Sequence, residues 1–185
     1  WDDSGMFAGN TCYFIPASEK WLTALLNSAS VEWFYGNISN RVRGGYLRAF
    51  SDYMRQIPIP EASKRQQASL EQLVDYSLCL SRQLVTPSAD QSTRDPLMLA
   101  YFEQILNGLV YELYFPEEVH GAGLHLFDAV AKAKLPDIAT IPEKDRLPRL
   151  RTLFETLYDG THPIRIALAK LQTLDTVRII EGKAT

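Results

Sequence analysis

Two apolar stripes separated by a polar break constrain this chain more than any other feature. Across residues 61–85, Leu70, Leu73, Val74, Leu78, Leu84 and Val85 recur at three-, four- and seven-residue spacings. That is the pattern of a helix with one side buried. Residues 86–95 (T-P-S-A-D-Q-S-T-R-D) are small and polar and read as a linker. Asp95-Pro96 then offers an N-cap and a proline at the first helical position. Met98, Phe102, Ile105, Leu106, Leu109 and Leu113 follow as a second stripe, until Pro116 ends the run. Either helix alone would leave its stripe in water; packed antiparallel, the two bury each other. Residues 61–115 are therefore expected to form a helical hairpin.

The flanking segments are mixed in character. Residues 11–15 (T-C-Y-F-I) are β-branched and aromatic, which suggests a short strand stopped by Pro16. Ser18 is a plausible N-cap for a helix through Asn27 with Trp21, Leu22, Leu25 and Leu26 on one face. Ser28 or Ser30 could cap a second helix carrying Val31, Phe34, Tyr35 and Ile38. Residues 46–50 alternate weakly, as a strand does, and Pro58 with Pro60 forces extended backbone. Beyond Pro116 the chain reads as mainly helical. Residues 120–134 are weakly so and residues 135–146 form a charged loop. Helices follow from Pro148 and from His162-Pro163, with a short terminal strand at 177–180. The expected fold class is α+β and predominantly helical, with a small mixed subdomain (1–60), the hairpin (61–115) and a helical extension (116–185). With 185 residues, 46% of them hydrophobic, one substantial core or two small ones can be buried.

The charge distribution points to a partner. Net charge is −3, yet residues 41–55 hold Arg41, Arg43, Arg48 and Arg55 against Asp52 alone, a local charge of +3. Tyr46, Phe50 and Tyr53 interleave with these arginines, and Gly44-Gly45 permits a tight turn or a close approach to another backbone. A basic, aromatic, glycine-hinged patch on an acidic chain suits contact with a phosphate backbone. The competing reading is a solvated turn with scattered arginines.

The order of three motifs adds to this. Residues 22–35 (L-T-A-L-L-N-S-A-S-V-E-W-F-Y), 43–50 (R-G-G-Y-L-R-A-F) and 57–60 (I-P-I-P) together resemble the TaqI-like C-terminal specificity domain of DNA methyltransferases and fused restriction-modification enzymes. They are also similar to a half-domain of type I restriction specificity subunits, where a proline-rich turn leads into a long helix with early glutamines, here Gln66 and Gln67. The resemblance spans about residues 10–85. It implies a target-recognition module for double-stranded DNA, with a DNA-binding set of Arg41, Arg43, Gly44, Gly45, Tyr46, Arg48 and Arg55. It also implies an upstream adenine-N6 methyltransferase domain that would hold S-adenosylmethionine, this segment binding no cofactor itself. The start at Trp1 fits a piece of a longer protein.

Catalytic chemistry finds no footing in the sequence. His120, His125 and His162 form no pair at three- or four-residue spacing, so no metal site is expected. His120 beside Glu117 and Glu118 reads as a helix with acidic residues in its first turn. No G-x-S-x-G elbow, phosphate-binding glycine loop or N-P-P-Y tetrapeptide occurs. Pro136-Asp137 and Glu181-Gly182-Lys183 echo a nuclease carboxylate-lysine set, but stand 44 residues apart with helices between them. Trp21, Trp33 and Phe34 are expected in the core rather than on a base-stacking surface. Two isolated cysteines and no membrane-length apolar run suggest a reduced, cytoplasmic setting. The alternative from another class is a helical protein-interaction module that never touches DNA.

Overall fold

The computed structural model describes residues 15–40, 50–85 and 92–183. Ten α-helices and one 3-10 turn account for most of them, and no strand occurs among the described residues. The mixed α+β subdomain expected over 1–60 is thus not supported. Its described part consists of α1 (Trp21–Leu26), α2 (Ala29–Ile38) and α3 (Ser51–Met54). The strand readings at 11–15 and 46–50 fall almost wholly outside the described residues, and their described ends, Ile15 and Phe50, pair with no strand.

Helices α1 and α2 meet at a tight corner made by Ser28. Its hydroxyl donates to the Leu25 carbonyl at 2.7 Å and accepts from Val31 N at 3.3 Å, closing one helix and capping the next. A second cap comes from a distant element, for Asn107 Oδ1 accepts from Ala29 N at 2.9 Å. The cap expected from Ser18 is not made. Lys20 occupies that position, and Ser18 bonds Glu19 instead. Lys20 also reaches Asp75 at 2.8 Å, which ties α1 to the long helix beside it.

The hairpin is formed by α4 (Lys64–Val85) and α5 (Asp95–Tyr114). Leu70, Leu73, Val74, Tyr76 and Leu80 are the buried face of α4, with the Tyr76 ring edge-on to Phe102 at 5.4 Å. The stripe therefore runs through Tyr76 and Leu80, while Val85 lies 82% exposed at the end of the helix. Helix α5 is the axis of the molecule. It touches α1, α2, α4, α6, α7, α8 and α9, so it buries residues on every side, Gly108 and Glu112 included. Asp95 begins it as a buried carboxylate held by Arg151 (Nε to Oδ1 3.0 Å, Nη2 to Oδ2 2.7 Å).

The remaining helices wrap around α5. Pro116 pushes Phe115 out of helical backbone (φ −129°, ψ 51°) and starts α6 (Pro116–Gly121) at an angle. Gly123, at φ +72°, ends α6. Gly123 N bonds His120 O at 2.8 Å and Leu124 N bonds Val119 O at 3.1 Å, the Schellman pair that needs a left-handed residue. Helix α7 (Leu126–Ala133) follows, then the 3-10 turn Ile138–Thr140. Helix α8 (Glu143–Tyr158) begins five residues before its expected start and carries Pro148 inside it. Glu143 and Asp145 in its first turn oppose the exposed N–H groups there, so the charged loop expected over 135–146 gives way to helix. Helix α9 (Pro163–Leu171) is capped by His162, whose Nδ1 accepts from Ile164 N at 3.2 Å.

Residues 177–180 are also helical, in α10 (Asp175–Ile180), where a strand was expected. β-Branched composition favours a strand only where a neighbouring strand exists to pair with, and here Val177 inserts into a helical core instead. That core is continuous from Trp21 to Val177. Val31, Tyr35 and Ile57 form a smaller cluster under α2 and α3.

Candidate nucleic-acid interface

Of the seven residues assigned to DNA contact, Arg41, Arg43, Gly44, Gly45, Tyr46 and Arg48 lie outside the described residues. Arg55 is described, and it caps the C-terminal end of α3 with its side chain exposed. The structure defines how residues 41–49 are bracketed. On the entry side, Asn40 Nδ2 donates to the Tyr53 hydroxyl at 3.0 Å, joining the end of α2 to α3. On the exit side, burial pushes the Tyr35 hydroxyl up in pKa, and a backbone hydrogen bond from Phe50 partly opposes that rise.

Both clamps rest on the smaller cluster. Tyr35 is 7% exposed beside Val31 and Ile57, with Phe34, Ile38, Tyr53 and Met54 packed around them. The I-P-I-P turn fastens the cluster to the main body, because Pro58 O accepts from the Tyr114 hydroxyl of α5 at 2.7 Å. Ile57 is the apolar anchor of that turn, and its neighbour Pro58 has no N–H that would need a partner. Asn40 and Phe50, the described residues on either side of the basic segment, are therefore each bonded to a tyrosine of this cluster.

Two aromatics on this part of the chain are open to solvent. Phe50 is 39% exposed, with its ring 6.3 Å from Tyr53. Trp33, expected in the core, is 42% exposed. The signal for that correction is present in the sequence. Val31, Phe34, Tyr35 and Ile38 lie within one arc of a 3.6-residue helix, and Trp33 is displaced to the opposite side. Trp21 and Phe34 are placed as expected, Trp21 buried in the main core and Phe34 half-buried on the smaller cluster.

Asp137 caps the 3-10 turn through Ala139 N at 2.9 Å. Burial would raise the Glu181 carboxyl, but hydrogen bonds from Lys183, Gln172 and Tyr111 outweigh it and hold the pKa low. The two halves of the nuclease-like pattern thus serve separate local structures. Burial pushes the Cys79 thiol up, away from nucleophilic reactivity. A cleft of about 390 Å³ between α1, α4 and α5 mixes polar residues such as Thr23, Asn27 and Asn107 with apolar Val74, Leu78 and Leu106, and burial raises the Glu103 carboxyl there. No helix among the described residues is long and apolar enough to cross a membrane.

One group of potential metal ligands does converge, and the sequence did not reveal it. Glu112, His120 and His125 bring a carboxylate oxygen and two imidazole nitrogens within 4.8 Å of one another. His120 follows Glu117 and Glu118 in the chain, but its partner is Glu112, eight residues away, at 2.9 Å.

Residues 1–59 match the family model of the TaqI-like C-terminal specificity domain. That domain is a DNA-recognition module that binds no cofactor itself. No curated protein and no solved structure matches the chain.

Proposed function

We propose that this chain is the DNA sequence-recognition part of a restriction-modification methyltransferase. In this reading the segment 41–49, together with Arg55, enters a groove of the duplex. The observation that carries it is the bracketed basic segment. A run with three arginines and a diglycine is held at both ends by Asn40–Tyr53 and Tyr35–Phe50, inside the region that matches a specificity domain. Loops set on rigid platforms carry recognition because the platform removes the entropy that binding would otherwise cost.

Arg41, Arg43, Arg48 and Arg55 would meet phosphates or guanine edges, the planar guanidinium being suited to two parallel hydrogen bonds with either. Gly44 and Gly45 would let the backbone approach closely, with Tyr46 against the sugar-phosphate strand. Phe50 and Trp33 would extend the contact surface. Functionally we divide the chain into a recognition part (1–60), the hairpin (61–115) as spacer and a helical extension (116–185). Helix α1 shares its core with α4 and α5, and that core continues into 116–185. S-adenosylmethionine binding and methyl transfer belong to an upstream domain.

The test is duplex binding by fluorescence anisotropy across a salt series. Four phosphate contacts give a slope of log K against log salt near −3 to −4, since each releases about 0.9 of a counterion. Arg43→Ala and Arg48→Ala should each flatten the slope by about 1 without changing the melting temperature. Gly45→Val should impair recognition more than folding. Binding insensitive to salt, or all three variants binding as the parent does, would refute the proposal in favour of a helical interaction module without DNA contact.

A further inference from the structure

We infer that Glu112, His120 and His125 form a binding site for one divalent transition-metal ion of the zinc class. Glu112 is only 7% exposed. Its Oε2 accepts from Leu126 N at 2.6 Å and Phe127 N at 3.0 Å, the first two N–H groups of α7. Those two bonds fix the carboxylate plane and leave Oε1 turned toward the imidazoles, where His120 Nε2 stands at 2.9 Å. Carboxylates that ligate metals are commonly oriented in this way, by hydrogen bonds to the oxygen that does not bind the ion.

The imidazoles are placed by backbone geometry. The Schellman turn at Gly123 reverses the chain between them and stacks the two rings, with centroids 4.7 Å apart and planes at 28°. Both rings reach the surface, so an ion can enter and water can complete its coordination. Tetrahedral zinc with bonds of about 2.0–2.2 Å needs ligand atoms roughly 3.3–3.6 Å apart. The three donors lie within 4.8 Å, and binding one ion requires the two stacked rings to turn so that their in-plane nitrogen lone pairs converge, which their exposure permits.

Ligand chemistry selects the ion. Two neutral imidazoles and one carboxylate suit Zn2+, Co2+ and Ni2+, whereas Mg2+ and Ca2+ require oxygen ligands throughout. The bound ion would join the end of α5, the last turn of α6 and the start of α7. None of these three residues belongs to the set assigned to DNA contact, and the site does not rest on the DNA-recognition reading.

The experiment uses the full chain, with any polyhistidine tag removed, titrated calorimetrically with Zn2+. The expected result is saturable one-to-one binding with a rise in melting temperature. His125→Ala should weaken Zn2+ binding by at least about 10–100-fold. Its metal-free melting should match that of the parent, since the hydrogen bonds of Glu112 go to His120 and the α7 backbone. A second measurement on the parent chain does not depend on any variant. Bound Co2+ should show the intense visible absorption of a four-coordinate site. Absence of saturable binding, undiminished binding by His125→Ala, or the weak spectrum of six-coordinate Co2+ would each overturn the assignment.

Discussion

Replacing Glu112 with alanine should damage this fold more than most single substitutions, and the cost can be worked from its partners. The side chain supplies one buried oxygen to two backbone N–H groups, Leu126 N and Phe127 N. Without it, both donors remain buried at the start of α7. A buried unsatisfied donor costs about 1–3 kcal/mol, so the pair costs about 2–6 kcal/mol. The lost interaction of a carboxylate with a helix N-terminus overlaps with this figure and is not added to it. We expect about 3–5 kcal/mol, a large share of the roughly 5–15 kcal/mol that holds a domain together. Glu112→Gln keeps an acceptor oxygen for the same N–H groups but weakens charge-assisted bonds to neutral ones, for about 1–2 kcal/mol. Urea denaturation followed by far-ultraviolet circular dichroism measures both variants without added metal. The capping argument fails if Glu112→Ala costs less than about 1 kcal/mol. It also fails if Glu112→Gln costs as much as Glu112→Ala, because then charge pairing with His120 rather than capping is the source.

The remaining predictions concern the hairpin and the α5–α8 contact. Leu73→Ala should cost about 3–5 kcal/mol, because Leu73 is fully buried among α4 and α5 side chains. Leu106→Ala should cost less, about 2–3 kcal/mol, because Leu106 lines the cleft beside α1 and its removal widens an open space rather than leaving a sealed void. Equal losses in chemical denaturation would contradict that distinction. The hydrogen bonds from Arg151 hold the Asp95 carboxyl below the ordinary carboxylate range. Its folded-state pKa is thus depressed, so its contribution is fully present above about pH 4 and is lost as pH falls through the folded-state value. Arg151→Met should remove that acid-side loss and cost about 3 kcal/mol at neutral pH, the low end for a broken buried pair, since the Arg151 side chain is 34% exposed. Melting temperature across an acid titration reads both effects, and an unchanged acid profile would count against them.

Local periodicity in the sequence determined the elements that depend on near neighbours. The stripes around Leu73 and Leu106 and the polar break between them defined the hairpin, although Arg94 rather than Asp95 holds the N-cap position. Of the two caps open in the sequence, Ser28 and Ser30, it is Ser28 that turns the corner between α1 and α2. The family likeness was legible too, and residues 1–59 match it. Trp33 was expected in the core and is exposed, because its offset in α2 outweighs the tendency of tryptophan's size toward burial. The sequence misread residues 177–180, where β-branched side chains suit a strand in isolation. Tertiary structure decided the rest. Asn107 caps α2 across 78 positions, Arg151 meets Asp95 across 56, and Glu112 gathers His120 and His125 at spacings that no helical repeat would flag. The physical reason is one of range. Helical spacing reports which side chains share a face within a turn or two. The kink at Pro116 and the left-handed turn at Gly123 set where separate helices point, and only their combined geometry brings a carboxylate and two imidazoles to one place.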